Sequence, residues 1–124
     1  MTEEETTHYI ARAITAEGYK KIQDAARQRM NSARRRGEAF EVEVMHDLEA
    51  RGWIGNRLRQ GGGCVIDIIA FDTLGVAQLI QCKLNGYMRP AERDELRKEA
   101  DARRAIPLMA YKICKSIIYK EVTE

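Results

Sequence analysis

The sequence has little of what marks several classes of protein. It has three cysteines (Cys64, Cys82 and Cys114), with no CxxC pair, and two histidines, His8 and His46, that share no ligand spacing. These features argue against a zinc site and a disulfide framework, and they predict reduced thiols. No apolar run approaches the ~20 residues of a membrane span. The start, TEEETT, is acidic and lacks the basic and apolar parts of a signal peptide. We therefore expect a cytoplasmic protein with no membrane partner and no small-molecule cofactor.

The net charge is also small, at +2, and by itself it does not establish a polyanionic partner. The distribution of the charge is more informative. Arg34, Arg35 and Arg36 form one basic run, and Arg57 and Arg59 form a second, whereas the acids lie mostly in the N-terminal part and on predicted helix faces. Such asymmetry can produce a basic face without a large net charge. We therefore assign DNA binding to these five arginines.

The hydrophobic pattern predicts one α/β domain with helices on both sides of a mixed sheet. A chain of 124 residues is long enough for one core. Asn31 or Ser32 is expected to cap the second helix, Gly18 to interrupt the first, and Gly52 to end the second. The predicted elements are helices at 8–30 and 31–50, strands at 56–59, 65–71 and 76–84, a helix at 90–104, and strands at 108–113 and 116–122.

An acid inside an apolar strand is the first sign of chemistry. Asp67 interrupts the run VIDIIAF, and Gln81 and Lys83 are two residues apart, so they project from the same face of the next strand. A hairpin through a turn at 72–75 would bring Asp67 close to Gln81. A buried acid is costly unless it is paired or binds a metal. Two interpretations remain open at this point, a structural Asp67–Lys83 ion pair and a functional site.

Glu41 favours the functional interpretation, because it borders the buried face of a helix that is expected to pack on this sheet. The oxygens of Glu41, Asp67 and Gln81, with the backbone carbonyl of Cys82, are the kind of ligands that Mg²⁺ prefers, and Mn²⁺ is a possible substitute. Lys83 would orient or deprotonate the attacking water, or stabilise charge in the transition state. Metal and lysine together suit phosphodiester hydrolysis.

The segments RRRGEAFEVEVMHDLEARGW, VIDIIAF and LIQCK, in this order, resemble the archaeal-type Holliday junction resolvases of the PD-(D/E)xK nuclease superfamily. The resemblance runs from Arg34 to Val122. The family's basic residue, glycine and glutamate match Arg36, Gly37 and Glu41, its strand aspartate matches Asp67, and its E-x-K matches Gln81-Cys82-Lys83. Gln81 is a departure, since the family usually has Glu there. Similar Q-x-K versions occur in active branches that resemble Mrr-like restriction enzymes and VRR-NUC nucleases.

The resemblance implies a restriction-endonuclease-like core at 34–124, preceded by an N-terminal helical extension at 1–33. It also implies a magnesium-dependent endonuclease whose homodimer nicks two strands of a four-way DNA junction. Glu41, Asp67, Gln81 and Lys83 would be the catalytic residues. The extension could pack on the dimer partner, contact DNA or cover the core, and the sequence does not choose among these.

Two other functions stay open. Gln81 is compatible with a non-catalytic junction-binding module whose nuclease site has degenerated, although Glu41, Asp67 and Lys83 are all retained. A restriction-type or nicking nuclease that acts on linear duplex is the other alternative, and the absence of a separate sequence-reading domain weighs against it. The sequence does not distinguish a nucleoid enzyme from one acting in a virus-infected cell.

Overall fold

The computed structural model describes residues 16–58 and 65–123 of the chain. The chain divides into two compact units, residues 1–35 and 36–124. No helix in the described ranges has the length and apolar character needed to cross a membrane. The described elements are α1 (Ala16–Ala50), β1 (Ile54–Arg57), β2 (Ile68–Phe71), β3 (Ala77–Cys82), α2 (Pro90–Arg103), β4 (Ile106–Ile113) and β5 (Ser116–Glu121).

The helix α1 corrects the prediction of two N-terminal helices. It continues without a break from Ala16 to Ala50, so Gly18 does not interrupt it and neither Asn31 nor Ser32 caps a new helix. Between Gly18 and Gly37 the sequence has no glycine or proline, and Asn or Ser costs only a few tenths of a kcal/mol inside a helix. Nothing in this stretch is therefore strong enough to stop the helix. Residues 8–15 of the predicted first helix lie outside the described residues.

The predicted end of α1 is confirmed. The helix ends at Ala50, and Gly52 adopts the left-handed conformation that favours glycine, with φ of 83°. The N–H of Trp53 returns to the carbonyl of Leu48 at 3.0 Å and satisfies one of the last helical carbonyls. The chain then turns directly into β1.

The five strands form one mixed sheet in the order β1-β2-β3-β4-β5. All neighbours are antiparallel except β3 and β4, which are parallel and are connected through α2. The predicted turn at 72–75 is present, and the Asp72 carboxylate accepts hydrogen bonds at 2.9 Å from the N–H groups of Leu74 and Val76. The predicted α/β class with helices flanking a mixed sheet is thus confirmed.

Several strand limits differ from the prediction. The first strand is Ile54–Arg57 instead of 56–59, β2 begins at Ile68, and β4 already includes Ile106 and Pro107. Pro107 is tolerated because it lies at the beginning of its strand, where its carbonyl accepts a hydrogen bond from Val122 at 2.9 Å. Arg59 lies outside the described residues.

The core of residues 36–124 has one cluster on each face of the sheet. On one face, buried residues of α1 pack against the strands, and on the other, buried residues of α2 do so. Four consecutive residues of β3, from Gln78 to Gln81, are buried, so this strand occupies the centre of the domain. The first cluster contains Phe40, Val44, Leu48, Ile68, Ala70, Ile80, Leu108 and Ala110. The second contains Val65, Ile66, Leu79, Met88, Leu96, Ala100, Met109 and Val122.

Candidate active site

Asp67 and Gln81 lie at the end of the β2–β3 pairing. The last paired residues are Ile68 and Ile80, and Asp67 directly precedes Ile68 while Gln81 directly follows Ile80. The N–H of Asp67 donates to the carbonyl of Ile80 at 2.9 Å. Both side chains are buried, with 3% and 7% of their residue surface exposed. The backbone of Asp67 is therefore bonded to the residue that precedes Gln81, and a contact between the side chains of Asp67 and Gln81 stays a prediction.

Cys82 connects this pair through its backbone. Its N–H donates to the Asp67 carboxylate at 2.8 Å. The side chain of Asp67 thus serves as the acceptor that a backbone carbonyl would provide within a regular strand pair. In an antiparallel pair the N–H and C=O of one residue face the same neighbouring strand. The carbonyl of Cys82 is accordingly directed towards the side on which Asp67 lies.

The side-chain oxygen of Gln81 is the most informative atom of the site. Oε1 is buried, and no hydrogen-bond partner for it is present among the described residues. A buried acceptor without a partner costs about 1–3 kcal/mol. A buried amide oxygen without a partner is well suited to a hard cation, which is the role the sequence predicted for it.

Glu41 lies on α1 beside the buried Phe40, and its carboxylate binds the guanidinium of Arg57. The distances from Oε2 to Nη2 and Nε of Arg57 are 2.8 and 3.2 Å. Only 14% of the Glu41 side chain is exposed. Arg57, which the sequence predicted to contact DNA, therefore forms an ion pair with a predicted metal ligand.

The pKa of the Cys82 thiol shows that these groups share one neighbourhood. Burial raises the pKa of Cys82 most strongly, the carboxylates of Asp67 and Glu41 raise it further, and the guanidinium of Arg57 opposes them. The two predicted acidic ligands thus both act on the same residue of β3. The site combines a helix, two strands and one arginine from a third strand.

Lys83 follows Cys82, and its ammonium group contacts Glu92 of α2, with Nζ and Oε2 2.8 Å apart. Arg89 binds the other oxygen of the same carboxylate at 2.9 Å. The sequence alternative paired Lys83 with Asp67, whereas the ion pair that the structure gives it is with Glu92. Partial burial of Glu92 opposes its ionisation, but the bonds from Lys83 and Arg89 outweigh it and hold the pKa of Glu92 below its usual value.

Glu92 was missed by the sequence reasoning. It stands in the first turn of α2, two residues after Pro90, where an acid is stabilised by the helix dipole. An acid at this position is common at the start of a helix, so Glu92 did not stand out as a functional residue. Its closeness in sequence to Lys83 could have indicated the contact, because the helix of a parallel crossover packs on the strand that precedes it.

The arginine run on α1 requires a correction. Arg34, Arg35 and Arg36 were expected at the start of a helix, where positive charge opposes the macrodipole, but they lie in the interior of α1. The macrodipole acts mainly within the first and last turns of a helix, so it neither opposes nor favours charge at these three positions. All three are exposed. Arg34 and Arg35 belong to the unit of residues 1–35, and Arg36 belongs to the unit of residues 36–124.

The donor set fits a hard divalent cation. Within residues 16–58 and 65–123 no group of three or more His, Cys, Asp or Glu side chains is placed to hold a metal ion. A site built on the carboxylates of Glu41 and Asp67 would therefore be completed by Oε1 of Gln81 and the carbonyl of Cys82. All four donors are oxygens, as Mg²⁺ prefers. A cation would compete with Arg57 for the Glu41 carboxylate.

No protein-family model and no curated protein matches the sequence. Ten solved chains match it in structure. One is the 1.6 Å structure of Archaeoglobus fulgidus Hjc, a Holliday junction resolvase from an archaeal hyperthermophile. It is similar to this chain with a TM-score of 0.61 and 21% identity, over 69% of this chain and 77% of that chain. The nuclease-like fold that the sequence resemblance implied is confirmed by this likeness.

Proposed function

We propose that this chain is a metal-dependent endonuclease that cleaves four-way DNA junctions. The observation that carries the proposal is the side-chain oxygen of Gln81, which is buried and has no hydrogen-bond partner among the described residues, at the residue that follows the last β2–β3 pair. A buried acceptor without a partner destabilises a protein unless a ligand occupies the site. The likeness in fold to a Holliday junction resolvase supports the choice of substrate.

In this proposal the residues of the chain have separate roles. A Mg²⁺ ion held by Glu41, Asp67, Gln81 and the Cys82 carbonyl would polarise the phosphate and favour deprotonation of water near neutral pH. Lys83 donates a hydrogen bond to the scissile phosphate or to the attacking water and stabilises the negative charge that develops in the transition state. Glu92 holds the Lys83 ammonium in place, so Glu92 is a positioning residue.

Arg57 has a role of its own in the absence of the cation. Its guanidinium neutralises Glu41 and keeps that carboxylate at the rim of the site. If Glu41 served as a metal ligand, Arg57 would lose this partner and would be free to bind a DNA phosphate at the same rim. The predicted DNA contact of Arg57 and its observed ion pair would thus belong to two states of one site.

The homodimer that the family resemblance implies would match the symmetry of the substrate. A four-way junction has two strands to cut, and two identical subunits related by a two-fold axis would cut one strand each. Recognition would depend on branch shape and phosphate positions more than on base edges. We propose that the enzyme acts in the cytoplasm, on nucleoid DNA or on DNA in a virus-infected cell.

A non-catalytic junction-binding module is the second candidate, and the Arg57–Glu41 ion pair favours it. With Gln81 in place of an acid and Glu41 neutralised by Arg57, Asp67 contributes the remaining negative charge of the predicted ligand set. Such a site would bind a cation weakly. This candidate predicts tight junction binding that is independent of divalent metal.

The test is cleavage of a labelled four-way junction and of a linear duplex with the same arm sequences. Each is incubated with Mg²⁺, with Mn²⁺ or with a chelator, and Lys83→Ala is assayed beside the wild type. We expect paired nicks in the junction alone, lost with the chelator and with the variant. Binding without cleavage under either metal would contradict catalysis and favour the second candidate. Equal cleavage of both substrates would favour a restriction-type or nicking nuclease.

A further inference from the structure

We infer that residues 16–35 of α1 form a second DNA-binding surface, which holds a duplex arm through its phosphates without reading base sequence. The inference rests on the proposed function for the class of partner, double-stranded DNA. It concerns a different part of the chain, because residues 16–35 lie in the unit that precedes residue 36. None of the predicted catalytic residues belongs to this segment.

The charge of the chain is concentrated in this segment. Residues 16–35 contain six Lys and Arg against two acids, a net of +4, whereas residues 36–124 contain 14 Lys and Arg against 14 acids, a net of zero. Many cations of the second unit are also paired with carboxylates: Arg51, Arg57, Lys83, Arg89, Arg97, Arg103 and Lys112. The attraction for a polyanion therefore lies largely in residues 16–35.

The spacing of these cations forms a ridge along the helix. Lys20, Arg27 and Arg34 recur every seven residues, and two α-helical turns almost return to the same face, so the three lie within a narrow stripe. The ridge is about 21 Å long at 1.5 Å per residue. Lys21 and Arg35 form a second ridge beside it at the same 14-residue separation. Duplex DNA carries one charge per ~1.7 Å of axis, so it offers about 12 phosphate charges along this length.

Three of these cations are open to a ligand. Lys20, Lys21 and Arg27 are exposed, and no ion pair among the described residues includes them. No residue between 16 and 35 is buried. A helix without a buried face draws little stability from packing and is well suited to stabilisation by a bound partner.

An apolar stripe on the same helix could instead bind a partner other than DNA. Tyr19, Ile22 and Met30 are 58%, 56% and 73% exposed, and their spacing puts them on one face. A second copy of the chain would cover this stripe, and an anionic membrane would contact both the stripe and the cations. We favour DNA because the ridge of Lys20, Arg27 and Arg34 is longer and more regular than the apolar stripe from Tyr19 to Met30.

The experiment measures the salt dependence of DNA binding by the full chain. Fluorescence anisotropy with a labelled linear duplex and with a labelled four-way junction is recorded in chelator between 50 and 200 mM salt. The test variant is Lys20→Gln/Lys21→Gln/Arg27→Gln, since Gln is a good helix former. The matched control, Lys98→Gln/Lys115→Gln/Lys120→Gln, removes the same charge from residues 36–124. Circular dichroism checks the helix content of both.

We expect the slope of log K against log salt to fall in magnitude by about 2.7 in the test variant, at 0.9 per lost phosphate contact. The factor by which the binding constant falls between 50 and 200 mM salt would then be about 40 times smaller in the test variant than in the wild type. The control should change the slope by less than about 1. An unchanged slope, or equal changes in both variants, would overturn the inference.

The rival occupants give separate results. The apolar variant is Tyr19→Ser/Ile22→Ser/Met30→Ser. If it halves the mass measured by sedimentation and weakens DNA binding, and the basic variant changes neither, the helix is a contact between two copies. If the basic variant loses binding to phosphatidylserine vesicles and keeps its DNA salt slope, the surface is a membrane surface. Either result overturns the inference. Failure of the wild type to bind DNA at all would contradict the proposed function, whereas wild-type binding with an unchanged slope would contradict this inference alone.

Discussion

The carboxylate of Asp67 accepts a hydrogen bond from the backbone N–H of Cys82 at 2.8 Å. Asp67 precedes β2 and Cys82 ends β3, so this bond fixes the acid at the point where the two strands separate. One carboxylate oxygen is used by the backbone. The same carboxylate, together with that of Glu41, helps to raise the pKa of the Cys82 thiol. The hydrogen bond gives Asp67 a structural function, and the catalytic function that we propose for it is a second one.

The first prediction separates these two functions. Asp67→Asn keeps an oxygen for the Cys82 N–H but removes the charge, so the variant should stay folded and lose cleavage by about 100-fold or more. Junction cleavage and thermal melting measure the two effects. Asp101→Asn, on the exposed side of α2, serves as the control and should cleave normally. Normal cleavage by Asp67→Asn would exclude this carboxylate from the catalytic site.

The second prediction concerns Gln81. Gln81→Glu buries a carboxylate in place of the amide. Without metal this should lower the free energy of unfolding by about 1–3 kcal/mol and so lower the melting temperature. Mg²⁺ should restore it, because the added charge strengthens the cation site. Gln81→Met removes the unpaired oxygen, so it should be as stable as the wild type or more stable without metal, and should respond less to Mg²⁺. Thermal melting with and without Mg²⁺ measures all of these effects. Identical responses of the three proteins to Mg²⁺ would contradict a role of Gln81 in cation binding.

The third prediction tests the positioning role of Glu92. Glu92→Gln removes the charge that holds the Lys83 ammonium, so kcat should fall by about tenfold while KM changes little. Glu92→Asp should recover part of the loss. Glu95→Gln, on an exposed position of the same helix, is the control. A change in KM alone would show that Glu92 affects binding and does not position Lys83.

The fourth prediction follows from the lowered pKa of Glu92. A carboxyl group whose pKa is lower in the folded state stabilises the fold above its unfolded pKa, which is about 4.3 for Glu. This contribution is lost as the pH falls through the folded value. The difference in urea stability between wild type and Glu92→Gln should therefore be largest near pH 7 and shrink towards pH 3. A difference that stays constant with pH would contradict the ion pair.

The fifth prediction uses the thiols as probes of the site. Burial and the nearby carboxylates raise the pKa of Cys82, whereas Cys114 is exposed in the β4–β5 turn. A thiol reagent at pH 8 should therefore modify Cys114 rapidly and Cys82 only slowly, since the thiolate is the reactive form. Peptide mass mapping distinguishes the two. Asp67→Asn should accelerate the modification of Cys82, and equal rates for the two thiols in the wild type would be incompatible with the described site.

Several features of the fold could be predicted from the sequence because local signals specify them. Gly52 ends α1, Pro90 begins α2, and Asp72 with Gly75 forms the turn between β2 and β3. The continuity of α1 could not be predicted as readily. An Asn-Ser pair is compatible with a cap and with a helix interior, and the choice depends on the energy of the whole helix.

The sequence alone determined the fold class, through hydrophobic periodicity and turn residues. It also predicted that Asp67, Gln81 and Lys83 form a group, since a hairpin register follows from local spacing. Only the tertiary structure decided the partners of these groups. Arg57 binds Glu41 across 16 positions of sequence, and Glu92 binds Lys83 from the helix that crosses behind β3. Long, flexible charged side chains can reach several neighbours. Their contacts are therefore set by the packing of elements that are distant in sequence, which no local pattern specifies.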